Sequence, residues 1–185
     1  MAKANIYLAG FMGTGKSTIG RELARVVGRK YIDIDQAIEE EFGASIPALF
    51  AERGEAWFRE QEKTICLKVS QSTNRVVAAG GGALMNAEIF AAFEATGLLI
   101  CLYTQRDCLV ERLQRSTRRP LLNGGDLPDK VDSLLATRQS LYDKIRIRVD
   151  TTNFTPLETA RRIADLLNTR QRALQRLCDQ YIDLC

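Results

Sequence analysis

Ile6-Tyr7-Leu8-Ala9-Gly10-Phe11-Met12-Gly13-Thr14-Gly15-Lys16-Ser17-Thr18 decides the reading of this chain, because it joins an apolar run to a complete G-x-x-x-x-G-K-[ST] loop at residues 10–17. Downstream, Ile19, Leu23, Val26 and Val27 recur at helical spacing up to a stop at Gly28. Strand, glycine loop and helix in that order make a nucleotide phosphate site. The glycines let the backbone wrap an anion with its N–H groups turned inward, and the helix adds the positive end of its dipole. In this pattern Gly13, Thr14, Gly15 and Thr18 line the phosphates, Lys16 reaches the β- and γ-phosphates, and Ser17 ligates Mg²⁺.

Working outward, further apolar strand candidates stand at residues 31–34, 76–79, 98–103 and 147–149, separated by helical or loop sequence. Five strands alternating with helices predict an α/β protein whose parallel sheet is covered on both faces. Residues 35–70 read as helix broken at Gly43 and Gly54, with Ser45 as N-cap ahead of Pro47, and this predicts a helical insert. Residues 115–129 are basic, then rich in Gly, Pro and Asp without periodicity, which predicts a lid. At the far end Leu174, Leu177, Cys178, Tyr181, Ile182 and Cys185 form one apolar stripe, so residues 169–185 read as an added amphipathic helical tail behind a single domain at residues 1–168.

Composition removes whole classes of chemistry. With 185 residues and 45% hydrophobic content the chain can bury one full core. Its 26 basic and 23 acidic side chains leave a net +3, too balanced for a nucleic-acid stripe or a membrane surface. Five cysteines, an odd number with no C-x-x-C, argue for reduced thiols in the cytoplasm rather than a disulfide framework or a zinc site. The absence of histidine excludes the Ser-His-Asp triad and leaves acid–base work to carboxylates or lysines. The apolar stretch at residues 6–12 runs straight into the loop with no cleavage site, and no stretch approaches the roughly 20 apolar residues of a membrane span.

Asp33-Ile34-Asp35 closes the second strand, where alternation would place both carboxylates on one side of the sheet, facing the loop from its carboxyl edge. One can hold Mg²⁺ through water and the other can accept a proton from an attacking hydroxyl, although an aspartate here also suits a plain helix cap. Gly80, Gly81 and Gly82 follow the third strand and offer bare backbone to a ligand, or simply a tight turn. Arg59 and Arg138 are of the type that grips a carboxylate through two parallel hydrogen bonds, and a solvated helix arginine reads the same way. Arg112, Arg115, Arg118 and Arg119 flank the basic loop, where a guanidinium can stabilise a phosphoryl group in transit, while Trp57 and Phe58 suit a core or pocket wall.

Six motifs stand in one order: G-F-M-G-T-G-K-S, Y-I-D-I-D, S-I-x-x-L-F-x-x-x-G-E-x-x-F-R-x-x-E, G-G-G, R-P-L-L and R-x-x-x-Y. Together they resemble the shikimate kinase family over nearly the whole chain, from Ile6 to Leu167. The resemblance implies a three-layer α/β/α P-loop kinase fold with a five-stranded parallel sheet in the order 2-3-1-4-5, a substrate-binding insert near residues 35–62 and a lid near 115–129. It further implies transfer of the ATP γ-phosphate to the 3-hydroxyl of shikimate, with Mg²⁺, in aromatic amino-acid biosynthesis. Lys16 then contacts the phosphates, Ser17 ligates Mg²⁺ directly and Asp33 does so through water. Asp35 becomes the base, Arg59 and Arg138 clamp the substrate carboxylate, and Gly80, Gly81 and Gly82 line the ring. Arg119 corresponds to the lid arginine, and Arg112 and Asn153 to adenine contacts. A monomer is expected, with pairing through the tail as the alternative. Three other readings stay open, one of them a degenerate, non-catalytic homologue, against which it stands that every candidate catalytic position is filled. A gluconate kinase would share the loop and an anionic substrate, but the triple glycine and G-E-x-x-F-R run against it. A nucleotide switch or motor would want an acidic pair at the end of a core strand, where this chain has Asp150-Thr151-Thr152.

Overall fold

The computed structural model describes residues 4–114 and 127–182, with side chains described through Arg170 and at Arg172. The chain runs β1 (Asn5–Gly10), α1 (Lys16–Val27), β2 (Lys30–Asp33), α2 (Ile34–Phe42), α3 (Ile46–Ser70), β3 (Arg75–Ala78), a 3₁₀ turn at Ala83–Met85, α4 (Ala87–Thr96), β4 (Gly97–Tyr103), α5 (Arg106–Gln114), α6 (Leu127–Tyr142), β5 (Ile147–Asp150) and α7 (Pro156–Ile182). All pairings are parallel and the order is β2-β3-β1-β4-β5. This is the expected sheet.

The central strand explains the layering. Every residue of β1 is buried, and alternation sends Ile6 and Leu8 to one face and Tyr7 and Ala9 to the other. Ile6 and Leu8 meet Ile19 and Leu23 of α1 and Ile163 of α7. On the opposite face Tyr7 and Ala9 join Ile34, Ile38, Phe58, Phe93 and Leu109, the core beneath the helical insert, with Tyr7 stacked on Phe93 at 3.9 Å between centroids. Both cores therefore hang from one strand, whose carboxyl end delivers the chain into the glycine loop at Gly10.

Three expectations change in detail. Ile34 is not the last residue of β2 but the first of α2: Asp33 caps that helix, its Oδ1 accepting the N–H groups of Asp35 and Gln36 at 3.1 and 3.4 Å. Asp33 and Asp35 thus share no strand face, and the second carboxylate is carried by the first turn of a helix. The break expected at Gly54 is present as a bend within α3, because Gly54 holds φ 80 and ψ 167, a conformation that side chains with a Cβ rarely adopt. Ser45 caps α3 through Oγ as expected, and Gly43 ends α2 in the left-handed conformation. Finally, residues 169–182 continue α7 without interruption rather than starting a separate helix. Residues 127–129, assigned to the lid in sequence, form the first turn of α6, and the rest of the predicted lid, with Arg115, Arg118 and Arg119, lies outside the described residues. Among the described residues, no helix is long and apolar enough to cross a membrane.

Candidate active site

The glycine loop crosses from β1 to α1 with Gly13 at φ 84 and Gly15 at φ 91. Lys16 is buried and its Nζ donates to the carbonyls of Gly10 and Phe11 at 2.8 and 3.0 Å, so the ammonium is held inside the curve of the loop. The loop is braced from within and behind. Thr14 Oγ1 donates to the Phe11 carbonyl at 2.8 Å, and Thr151 Oγ1, just past β5, donates to the Thr14 carbonyl at 3.2 Å. Thr18 Oγ1 bonds the Gly15 carbonyl at 3.0 Å in the first turn of α1. Arg112 of α5 grips the same exit from β5, donating to the Thr151 carbonyl at 2.8 Å and the Thr152 carbonyl at 3.3 Å, next in sequence to the exposed Asn153. The residues matched to adenine contacts therefore share one neighbourhood.

Beside the loop, Asp33 is fully engaged. Its Oδ1 caps α2, while Oδ2 accepts the Tyr31 hydroxyl at 2.8 Å, and the neighbouring Ser17 hydroxyl pulls the pKa of the same phenol slightly down. Burial first, then the neighbouring carboxylate, push the Tyr31 phenol well above its usual range, so it remains a donor. Ser17 in the first turn of α1 and the bonded pair Tyr31–Asp33 of β2 thus gather oxygen donors beside the loop. Among the described residues no group of three or more His, Cys, Asp or Glu side chains suits a metal ion. A hydroxyl and one carboxylate are nevertheless the protein donors that Mg²⁺ uses when most of its ligands come from phosphate and water.

The opposite wall is built by α3, the turn after β3, and α6, around a cavity of about 430 Å³ that Glu55, Arg59, Glu62, Gly82 and Arg138 help to line. Beyond the bend at Gly54, Glu55, Arg59 and Glu62 follow at i, i+4 and i+7 and so share one helix face. Arg59 Nη1 donates to Glu62 Oε2 at 2.7 Å, and its Nε and Nη2 both reach Glu55 Oε1, at 3.3 and 3.1 Å. Phe50 and Phe58 lie 5.9 and 5.4 Å from the guanidinium carbon. Glu62 is 2% exposed, and burial raises its pKa above the usual carboxylate range against the opposing pull of Arg59, with Asp35 adding to the rise. For Arg59, burial lowers the pKa but the two glutamates outweigh it, and the net shift is upward.

Arg138 is buried and held differently. Its Nη1 donates to the Gly81 carbonyl at 2.8 Å, its guanidinium lies 5.5 Å from the Phe11 ring centre, and Tyr142, one helical turn on, donates to the same carbonyl at 3.2 Å. The triple-glycine turn is pressed between these groups. A Cβ on Gly80 would collide with Glu62 Oε1 and stand 2.9 Å from Asp35 Oδ1, and one on Gly82 would lie 3.1 Å from Arg59 Nη1. Gly80 is the position where no side chain fits, because its backbone passes directly against the two carboxylates. Asp35, Glu62, Arg59 and Arg138 therefore converge on one glycine turn.

The sequence profile described as shikimate kinase matches residues 12–168 of this chain. The chain belongs to the shikimate kinase family. The shikimate kinase of Halorhodospira halophila is 40% identical over 165 residues, covering 89% of this chain and 93% of the relative. That of Thermodesulfovibrio yellowstonii is 35% identical over 159 residues, 86% and 92% of the two chains. Among solved structures, shikimate kinase from Acinetobacter baumannii in complex with shikimate superposes with a TM-score of 0.87 at 34% identity, covering 91% of this chain and 94% of that one. Within this shikimate kinase framework, sequence reasoning assigned no role to Glu55, Glu62, Tyr31 or Tyr142. The signal was present in spacing, since Glu62 stands three residues after Arg59 and Tyr142 four after Arg138, but which helical neighbour faces the cavity depends on long-range packing.

Proposed function

We propose that this member of the shikimate kinase family transfers the γ-phosphoryl group of ATP to the 3-hydroxyl of shikimate, giving shikimate 3-phosphate and ADP. One observation carries the reading: two arginines and a carboxylate from three different elements meet at the Gly80–Gly82 turn, beside a complete phosphate loop. A cyclic acid fits that chemistry, with its carboxylate on Arg59 and Arg138 and a ring hydroxyl turned towards Asp35.

In this mechanism Asp35 accepts the hydroxyl proton as the oxygen attacks the γ-phosphorus, and the bond to the β–γ bridging oxygen breaks to release ADP. Lys16, the loop amides and Arg119 offset the charge on the phosphoryl oxygens, and Ser17 would hold the cation directly and Asp33 through water. Magnesium bound with the nucleotide supplies charge neutralisation and alignment. Gly13, Thr14, Gly15 and Thr18 seat the phosphates, with Arg112 and Asn153 at the base. Alignment and preorganised charge are sufficient for this reaction class, which needs no covalent protein intermediate. The test is ADP formation by purified protein with MgATP alone, with shikimate and with gluconate. Stimulation by shikimate only is expected. Stimulation by gluconate only would reassign the substrate, and ADP release indifferent to either acid would point to a nucleotide switch.

A further inference from the structure

Arg59 reaches into the cavity with its most useful edge already taken. Phe50 and Phe58 pack together on one side of its guanidinium, and Nη1 is fixed by the buried Glu62. That leaves the Nε–Nη2 edge, the side-on pair of donors that matches a carboxylate with two parallel bonds. Glu55 lies on that edge, but as a poor copy of such a partner. A single oxygen, Oε1, is shared between both nitrogens at 3.3 and 3.1 Å, whereas Glu62 bonds at 2.7 Å. The Glu55 side chain is 57% exposed and that of Glu62 only 2%. Glu55 also stands in the first turn after the bend at Gly54, where free N–H groups favour a negative charge whether or not it touches Arg59.

We infer that Glu55 is a built-in placeholder for the substrate carboxylate: it closes the Nε–Nη2 edge of Arg59 in the empty site and is displaced by the incoming acid. The inference rests on Arg59 being the grip for that carboxylate. The two glutamates then have opposite duties. Glu62 stays and fixes the plane of the guanidinium, while Glu55 swings to solvent at little cost because it was half solvated from the start. A bidentate acid with both oxygens in line gains what one shared oxygen cannot, so the edge selects a well-placed carboxylate over weaker anions. The placeholder consequently lowers substrate affinity, and its removal raises it.

The test compares the intact protein with E55Q, E60Q and R59K, titrating shikimate and its methyl ester by calorimetry and measuring KM and kcat. Displacement of an exposed pair predicts that E55Q binds shikimate about two- to five-fold more tightly, with a matching fall in KM. Its kcat, its KM for ATP and its affinity for the ester stay as they were. Glu60 is exposed on the same helix, and among the described residues its side chain makes no ion pair with Arg59, so E60Q removes an equal charge and should leave shikimate affinity unchanged. Unchanged or weaker shikimate binding in E55Q would overturn the inference, as would an equal gain in E60Q, which would reduce the effect to net charge. R59K separates this from the underlying reading: if it keeps the full preference for shikimate over the ester, Arg59 is not the carboxylate grip, whatever E55Q does.

Discussion

Glu62→Gln separates what a buried charge does for the fold from what it does for the site. The substitution keeps the shape of the side chain and removes the charge that holds Arg59 Nη1 at 2.7 Å. The raised pKa of Glu62 says that burial disfavours the ionised form more than Arg59 restores it. Because the Arg59 left behind is 32% exposed and can be hydrated, a neutral isostere should lower thermal stability by only about 1 kcal/mol. Substrate recognition should suffer as well. A hydrogen bond to a charged group is worth about 1.5–3 kcal/mol, and roughly half of that is retained because the Arg59 side chain is 32% exposed and water can take the vacated position. The remaining loss, about 0.8–1.5 kcal/mol, corresponds to a roughly 4- to 12-fold higher KM for shikimate at unchanged KM for ATP. The pH dependence adds a second signature. A carboxyl whose native pKa exceeds its unfolded value contributes stability that is present below the ordinary value of 4.5 and is lost as pH rises through the native value. E62Q should flatten stability across that window. Over the same window it should also abolish the loss of shikimate affinity that protonation of Glu62 causes in the intact protein as pH falls. The measurements are initial rates by an ADP-linked assay and thermal unfolding at several pH values. A large fall in melting temperature with an unaltered KM for shikimate would refute the reasoning and make Glu62 a purely structural residue.

Asp35→Asn removes the basic oxygen at near-constant shape, and kcat should drop by roughly the 10²–10⁴-fold typical of general-base loss while MgADP still binds; near-normal turnover would clear Asp35 of that role. Tyr142→Phe deletes one of two donors to the Gly81 carbonyl, so KM for shikimate should rise about two- to five-fold with KM for ATP unchanged in steady-state kinetics. Because burial pushes the Tyr142 phenol up to about 12, that effect should be flat from pH 6 to 9 in the same assay. Tyr31→Phe frees Asp33 Oδ2 but leaves its helix-capping oxygen in place, so calorimetry should show ADP losing about five-fold in affinity with Mg²⁺ present and little in EDTA. An equal loss under both conditions would place Tyr31 in packing instead.

The phosphate loop and β1 were legible because the information is local: glycine dihedrals, the lysine and the flanking periodicities all lie within about 25 residues. Asp33 ends β2 as read, whereas Asp35 was assigned to the strand and stands in the first turn of α2, since strand alternation and helix capping both accept Y-I-D-I-D. The outcome was settled by Ile34, fully buried beneath the insert and already helical. The arginines were legible by type and not by state. Arg138 and Tyr142 meet Gly81 across 57 and 61 residues, contacts that no spacing along α6 announces. This long-range geometry also gives the two arginines different electrostatic characters. Arg59 is set against a buried glutamate and is oriented at the expense of its net positive field. Arg138 is fixed by a neutral carbonyl and an aromatic ring, with Glu62 acting on it only at a distance. An anionic substrate approaching the cavity therefore meets a stronger attraction at Arg138 and a stricter geometry at Arg59. Lysine at position 138 would accordingly keep much of the attraction, whereas lysine at position 59 would forfeit the two-donor edge that makes a carboxylate distinguishable from other anions.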